Sequence, residues 1–189
     1  MKTAIPHILL TILLTVVSSC KKGEDDPFLS FKSRDARLRG EWKLVKMTGT
    51  YTDGLVEPGV SDLNVYTVDY DGTTVTRTEN DSVTGSATWS VNYTFEKKGI
   101  FKSVSLLDGA KEEYTDYWSW GNTDKKKTRL IIDEEDHFDF ELPDYYSVNE
   151  ESYSIKRLSG KDLVLVQSES YTNGPDTFTA DVEMTFEKK

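Results

Sequence analysis

Cysteine is almost absent from this chain of 189 residues, and histidine is nearly so: there is one Cys and there are two His. One thiol, Cys20, cannot close an intramolecular disulfide or build a thiolate metal cluster. His7 lies in an apolar leader, so His137 alone would have to serve any histidine-dependent chemistry. It stands in the acidic stretch DEEDHFDFE, and no Ser sits in a G-x-S-x-G elbow that could use it. One His cannot make a zinc site, and no glycine-rich phosphate cradle is present. Basic residues are the minority, 23 against 33 acidic, for a net charge of −10. A surface of that sign repels phosphate, which excludes a nucleic-acid partner. Long hydrophobic runs are missing too, apart from Ile8–Val17, which is about half the ~20 residues that span a bilayer as a helix.

That short run is the first positive signal. Lys2 precedes it, and Val17-Ser18-Ser19-Cys20 follows directly. The arrangement resembles a bacterial lipobox, with residues 1–19 as signal peptide and Cys20 as the lipidated residue of the mature chain. Val17 stands where Leu is usual. The resemblance implies a membrane partner through the N-terminal lipid anchor, since acyl chains hold a protein on a bilayer without spanning it. Loss of residues 1–19 removes Lys2, leaving 22 basic against 33 acidic residues, or −11. Residues 20–36, beginning CKKGEDDPF, read as a flexible tether. The KKGEDD portion resembles the export signal of surface lipoproteins of Bacteroidota and implies an outer-membrane, surface-exposed location.

From residue 37 onward the periodicity is that of strands. In FTADVEMTFE, Phe178, Ala180, Val182, Met184 and Phe186 share one face; in WSVNYTFE, Trp89, Val91, Tyr93 and Phe95 do; in NVYTVDY, Tyr66, Val68 and Tyr70 do. Asp71-Gly72 is a tight-hairpin signal. Lys97-Lys98-Gly99, Gly121–Asp124, Ser159–Asp162 and Asn173-Gly174-Pro175 break the other runs. Strands are expected near 41–50, 64–70, 73–79, 87–96, 99–107, 113–120, 127–133, 152–158, 162–171 and 177–187. One helical turn is expected at 33–39, with Ser33 as its cap. Residues 133–151 form a long irregular acidic stretch. Ten successive antiparallel strands leave two free edges, and closing the sheet on itself removes them. The expected fold is therefore all-β: an antiparallel up-and-down meander, closed into a barrel of about eight to ten strands spanning residues 37–189.

Gly40-x-Trp42 at the head of the first strand resembles the start of a lipocalin. YTFEKKGIF (93–101), YSIKRLSGKDLVLV (153–166) and the terminal MTFEKK (184–189) are similar to lipocalin-like domains of small Bacteroidota lipoproteins. The resemblance implies a structural role for Gly40 and Trp42, with Trp42 plugging the closed end of the barrel. It also implies non-catalytic binding of a small apolar or amphipathic ligand; from the residue inventory, neither a metal nor another cofactor is expected. Trp89, Tyr93, Phe95, Trp118 and Trp120 are the expected ligand-binding residues, because aromatic faces line apolar pockets and stack on sugars. The alternative is a barrel packed solid by the same rings, acting as a structural or interaction protein that binds a glycan or a partner protein through its loops. No constellation for catalysis is visible, and the chain is not expected to be an enzyme. Asp81-Ser82-Val83 resembles a short O-glycosylation acceptor.

Overall fold

In the computed structural model of the chain, the described residues are 32–57, 60–121, 127–133 and 151–189. They form ten antiparallel strands and one short helix: α1 (Arg34–Leu38), β1 (Gly40–Glu57), β2 (Val60–Tyr70), β3 (Thr74–Glu79), β4 (Ser82–Phe95), β5 (Ile100–Leu107), β6 (Ala110–Trp120), β7 (Arg129–Asp133), β8 (Glu151–Leu158), β9 (Asp162–Asn173) and β10 (Asp176–Lys188). Each strand pairs with its sequence neighbours, and β1 pairs with β10 to close the barrel. The all-β closed meander expected from the alternation is what the chain forms.

Several strand limits differ from those expected, most at β1 and β4, whereas the helix falls within 33–39. β1 runs to Glu57 rather than 50, paired with β2 throughout its second half. β4 begins at Ser82, so Asp81-Ser82-Val83 lies on a tight hairpin whose two loop residues, Asn80 and Asp81, have φ of 46° and 65°. The helix starts at Arg34, which is 2% exposed, so the folded domain begins before residue 37 and the tether is shorter than residues 20–36. Ser33 caps this helix as expected, its hydroxyl accepting from the Ala36 N–H at 3.2 Å. His137 and the rest of the acidic stretch 134–150 fall outside the described residues, as do Cys20 and the leader.

The barrel differs between its two ends. Gly40–Lys43 of β1 pair directly with Asn92–Phe95 of β4, which leaves eight strands in the ring there. From Met47 onward β1 pairs with β2 instead, and the β2–β3 hairpin stands between β1 and β4, completing the closed order of ten strands. Two strands inserted in a sheet move their flanking strands apart by about 10 Å, so the wall between β1 and β4 widens away from Trp42. The wedge is the β2–β3 turn. Asp71 accepts from the N–H groups of Thr73 (2.9 Å) and Thr74 (2.8 Å), which pins the turn and holds the Asp71 carboxyl below its usual range. Gly72, at φ +102°, brings the backbone so close to β1 that a Cβ would lie 3.1 Å from the Val45 carbonyl oxygen. Leu44 and Lys46 flank a β-bulge in β1 at the same level, where added twist suits the change in width.

In the half of the barrel nearer Trp42, apolar residues point inward and polar ones outward. The outward face of β10 carries Thr179, Asp181, Glu183, Thr185 and Glu187, whereas Met184 is 2% and Phe186 0% exposed. A barrel that crosses a bilayer by its strands has the opposite polarity, with an apolar outer band. Among the described residues, no helix is long and apolar enough to cross a membrane.

Candidate functional site: an aromatic floor below a polar mouth

The narrow end is closed by α1. The Trp42 indole, 0% exposed, donates from Nε1 to the Leu38 carbonyl oxygen at 2.6 Å. Lys188 donates to the carbonyls of Arg37 (2.7 Å) and Arg39 (2.6 Å), and its ammonium lies 4.8 Å from the centroid of the Trp42 ring. Burial, with the nearby Lys32 charge, lowers the Lys188 pKa below its usual value. Gly40, at φ +125°, leaves room for this side chain; a Cβ there would sit 2.8 Å from Lys188 Cε. The Arg37 guanidinium also donates to the Leu158 carbonyl. On the other flank of the helix, Asp35 accepts from Trp120 Nε1 at 2.5 Å and from Lys127 Nζ at 2.6 Å. Partial burial raises the Asp35 pKa, but these two hydrogen bonds and the Lys127 and Arg39 charges outweigh it, leaving the carboxyl below its usual range.

Above this cap the rings chosen from the sequence pack on one another. Tyr93 lies 4.9 Å from both Phe101 and Phe186, and Phe95 lies 5.3 Å from Phe101 and 6.0 Å from Trp118. Trp118 meets Trp120 at 5.7 Å, and Trp89 meets Tyr70 edge-on at 5.3 Å. Offset and edge-on contacts at these separations are favourable aromatic packing. Tyr93 and Phe95 are each 1% exposed. Of the five expected ligand-binding residues, Tyr93, Phe95 and Trp118 therefore sit within the packed lower half. Trp120 stands against α1, and Trp89 lies at the upper level of the stack.

The sequence reading did not single out the residues of the wide half. Strand register sorts them into rows, each two residues further from the floor. The row Leu165–Met184–Met47–Tyr70–Val75 is apolar apart from the Tyr70 hydroxyl, which donates to the Trp89 carbonyl at 2.9 Å. The next row is Gln167–Val182–Gly49–Val68–Arg77, and after it comes Glu169–Ala180–Tyr51–Tyr66–Glu79. Tyr171–Phe178–Asp53–Asn64 lies nearest the rim. On the opposite wall the inward series of β6 is Trp118, Asp116, Tyr114 and Glu112. The carboxylates on this inward parity are Asp53, Glu79, Glu112, Asp116 and Glu169, with Asp62 and Asp176 at the rim. Among the described strand residues of the wide half, Arg77 is the one inward cation.

Lys102 and Lys156, by contrast, pair on the outer face with Glu96 (2.6 Å) and Glu183 (2.8 Å). The Arg77 guanidinium carbon lies 5.3 Å from the Tyr66 ring centroid. Burial, then the negative charges of Asp53 and Glu79, raise the Tyr66 pKa above its usual value. Asp53 Oδ1 is buried and has no hydrogen-bond donor among the described residues. No group of side chains of metal-binding grade occurs among the described residues.

No protein-family model and no curated protein matches this chain. Among solved structures, the crystal structure of Rv2717c from M. tuberculosis is similar at 11% identity, over 82% of this chain and 94% of that one, with a TM-score of 0.24. A likeness of that size carries no functional information.

Proposed function

We propose that this chain is a lipid-anchored cell-envelope lipoprotein whose barrel binds a small amphipathic molecule without catalysis. One observation carries the binding reading: the inner face turns from packed rings to half-buried polar groups along the barrel axis. An apolar part would rest on the upper floor around Trp89 and Tyr70. A polar part would sit among Tyr51, Tyr66, Glu79 and Asp53. Because carboxylates outnumber cations there and one Asp53 oxygen has no donor among the described residues, the polar end of the ligand is a hydrogen-bond donor, best satisfied by an amine. Desolvated carboxylates without donors are costly, and a bound ammonium relieves that cost through charge-assisted hydrogen bonds. The anchor reading is supported by the Val17–Cys20 run and the short apolar segment before it, and it carries with it the outer-membrane, surface-exposed location.

The second reading, a barrel that is a packed scaffold binding a glycan or a partner protein through its loops, is favoured by the ring contacts of the lower half. Two amphiphiles of equal chain length separate the readings. Dodecylamine should shift the tryptophan emission through Trp89 and raise the melting temperature, dodecanoate should do so less, and E79Q should narrow the difference. If neither amphiphile moves either signal, the packed scaffold is the correct description.

A further inference from the structure

The helix that closes the narrow end also fixes where the chain enters the barrel. Ser33 caps α1 there, and Cys20 stands only 13 residues earlier. A random coil of that length has a root-mean-square span of about 20 Å, and any chain of that length has a limit of about 45 Å when fully extended. The far rim lies at the other end of β1. From Trp42 to Leu55 the strand advances about 43 Å at ~3.3 Å per residue, or about 33 Å along the axis at an ordinary strand tilt of ~40°. A mouth facing the anchoring bilayer would require the tether to run back along the barrel wall, well beyond its relaxed span. The rim also carries Asp62 and Asp176, whose charge opposes anionic headgroups.

Resting on the anchor reading, we infer that the barrel stands with its narrow end toward the host membrane and its mouth toward the aqueous side. The amphipathic ligand is then exchanged with a carrier or partner in the aqueous phase and is not drawn from the host bilayer. Exposed apolar residues at the rim, Leu55 (46%) and Val56 (51%), provide the competing tendency, since they would favour the opposite posture by entering lipid.

The test uses the full chain, lipidated in a bacterial host and reconstituted into phosphatidylcholine vesicles that carry headgroup-quencher lipid. Because Cys20 is the single natural cysteine and is blocked by acylation, one introduced thiol takes a fluorophore specifically. K161C places it on the exposed β8–β9 turn beside α1, and D176C places it at the rim. The expected result is quenching of the label at 161 and none at 176. Quenching at 176 alone, or equal quenching at both sites, would overturn the orientation while leaving the anchor intact. Failure of the unlabelled chain to float with vesicles would overturn the anchor reading and the orientation with it.

Discussion

Trp42→Ala is the sharpest single perturbation of this barrel. The indole is fully buried at the narrow end, donates to the Leu38 carbonyl, and lies under the Lys188 ammonium. Truncating a buried Trp to Ala costs about 3–5 kcal/mol, a large share of the ~5–15 kcal/mol by which a domain is stable. For a domain of this size each kcal/mol lowers the melting temperature by about 2–4 °C, so W42A should melt about 6–20 °C lower by calorimetry. Trp42→Phe keeps most of the volume but leaves the Leu38 carbonyl without its donor, at a cost of about 1–3 kcal/mol. Its melting temperature should fall between those of W42A and the unchanged chain.

A second assay reads the local consequence. A helix of five residues has no stability of its own, so α1 stays seated only through contacts such as this one. Arg34 and Arg37 are 2% and 5% exposed, and trypsin should cut after Arg37 faster in W42A than in the unchanged chain. A W42A chain that melts normally and resists trypsin at Arg37 would refute the plug and the role of α1 as its cover.

Three further changes probe separate features. The Asp35 carboxyl is held below its usual range in the folded chain; its pairing therefore stabilises the fold above the unfolded pKa, and this is lost as pH falls through the folded value. D35N should flatten the acid limb of stability against pH, measured by urea melts, and an unaltered limb would show that Asp35 does not contribute. Gly54 has φ +147°, and a Cβ there would come within 2.0 Å of the Asp62 carbonyl oxygen; G54A should destabilise the chain by more than ~1 kcal/mol and speed amide exchange at the β1–β2 end, which a wild-type exchange pattern would contradict. Asp81 occupies a left-handed position in a two-residue hairpin where Gly is preferred. D81G should be stabilising by up to ~1 kcal/mol, and a clear loss in chemical denaturation would mean that the Asp81 side chain makes a contact worth more than the relieved strain.

The parts of the fold that could be read from the sequence were those in which one face is apolar. Residues 89–95 and 178–186 alternate strictly, and both lie on buried inner walls. Thr50–Gly54 lacks that alternation, since its inward positions are Tyr51 and Asp53; an Asp-Gly pair looks like a turn, and the second half of β1 was missed. The start of β4, Ser82–Ser86, is exposed throughout, so no alternation marks it. Its turn is built from Asn80 and Asp81 without the glycine that signals such hairpins. The pairing of Gly40–Lys43 with β4 is a long-range contact that no local pattern encodes.

The same logic governs the site. Alternation showed that Trp89, Tyr93, Phe95, Trp118 and Trp120 share inward faces, but whether inward rings line a space or meet each other depends on the width of the ring. Where β1 touches β4 and eight strands close the wall, opposite side chains reach one another and the rings pack. Where the β2–β3 hairpin widens it, inward positions are occupied by Tyr, Glu, Asp and Gln, which are costly to bury in a dry core. Those residues looked like solvent-facing ones in the sequence because their chemistry is that of a surface. In the barrel they form an inner surface, in the half where the β2–β3 hairpin separates β1 from β4.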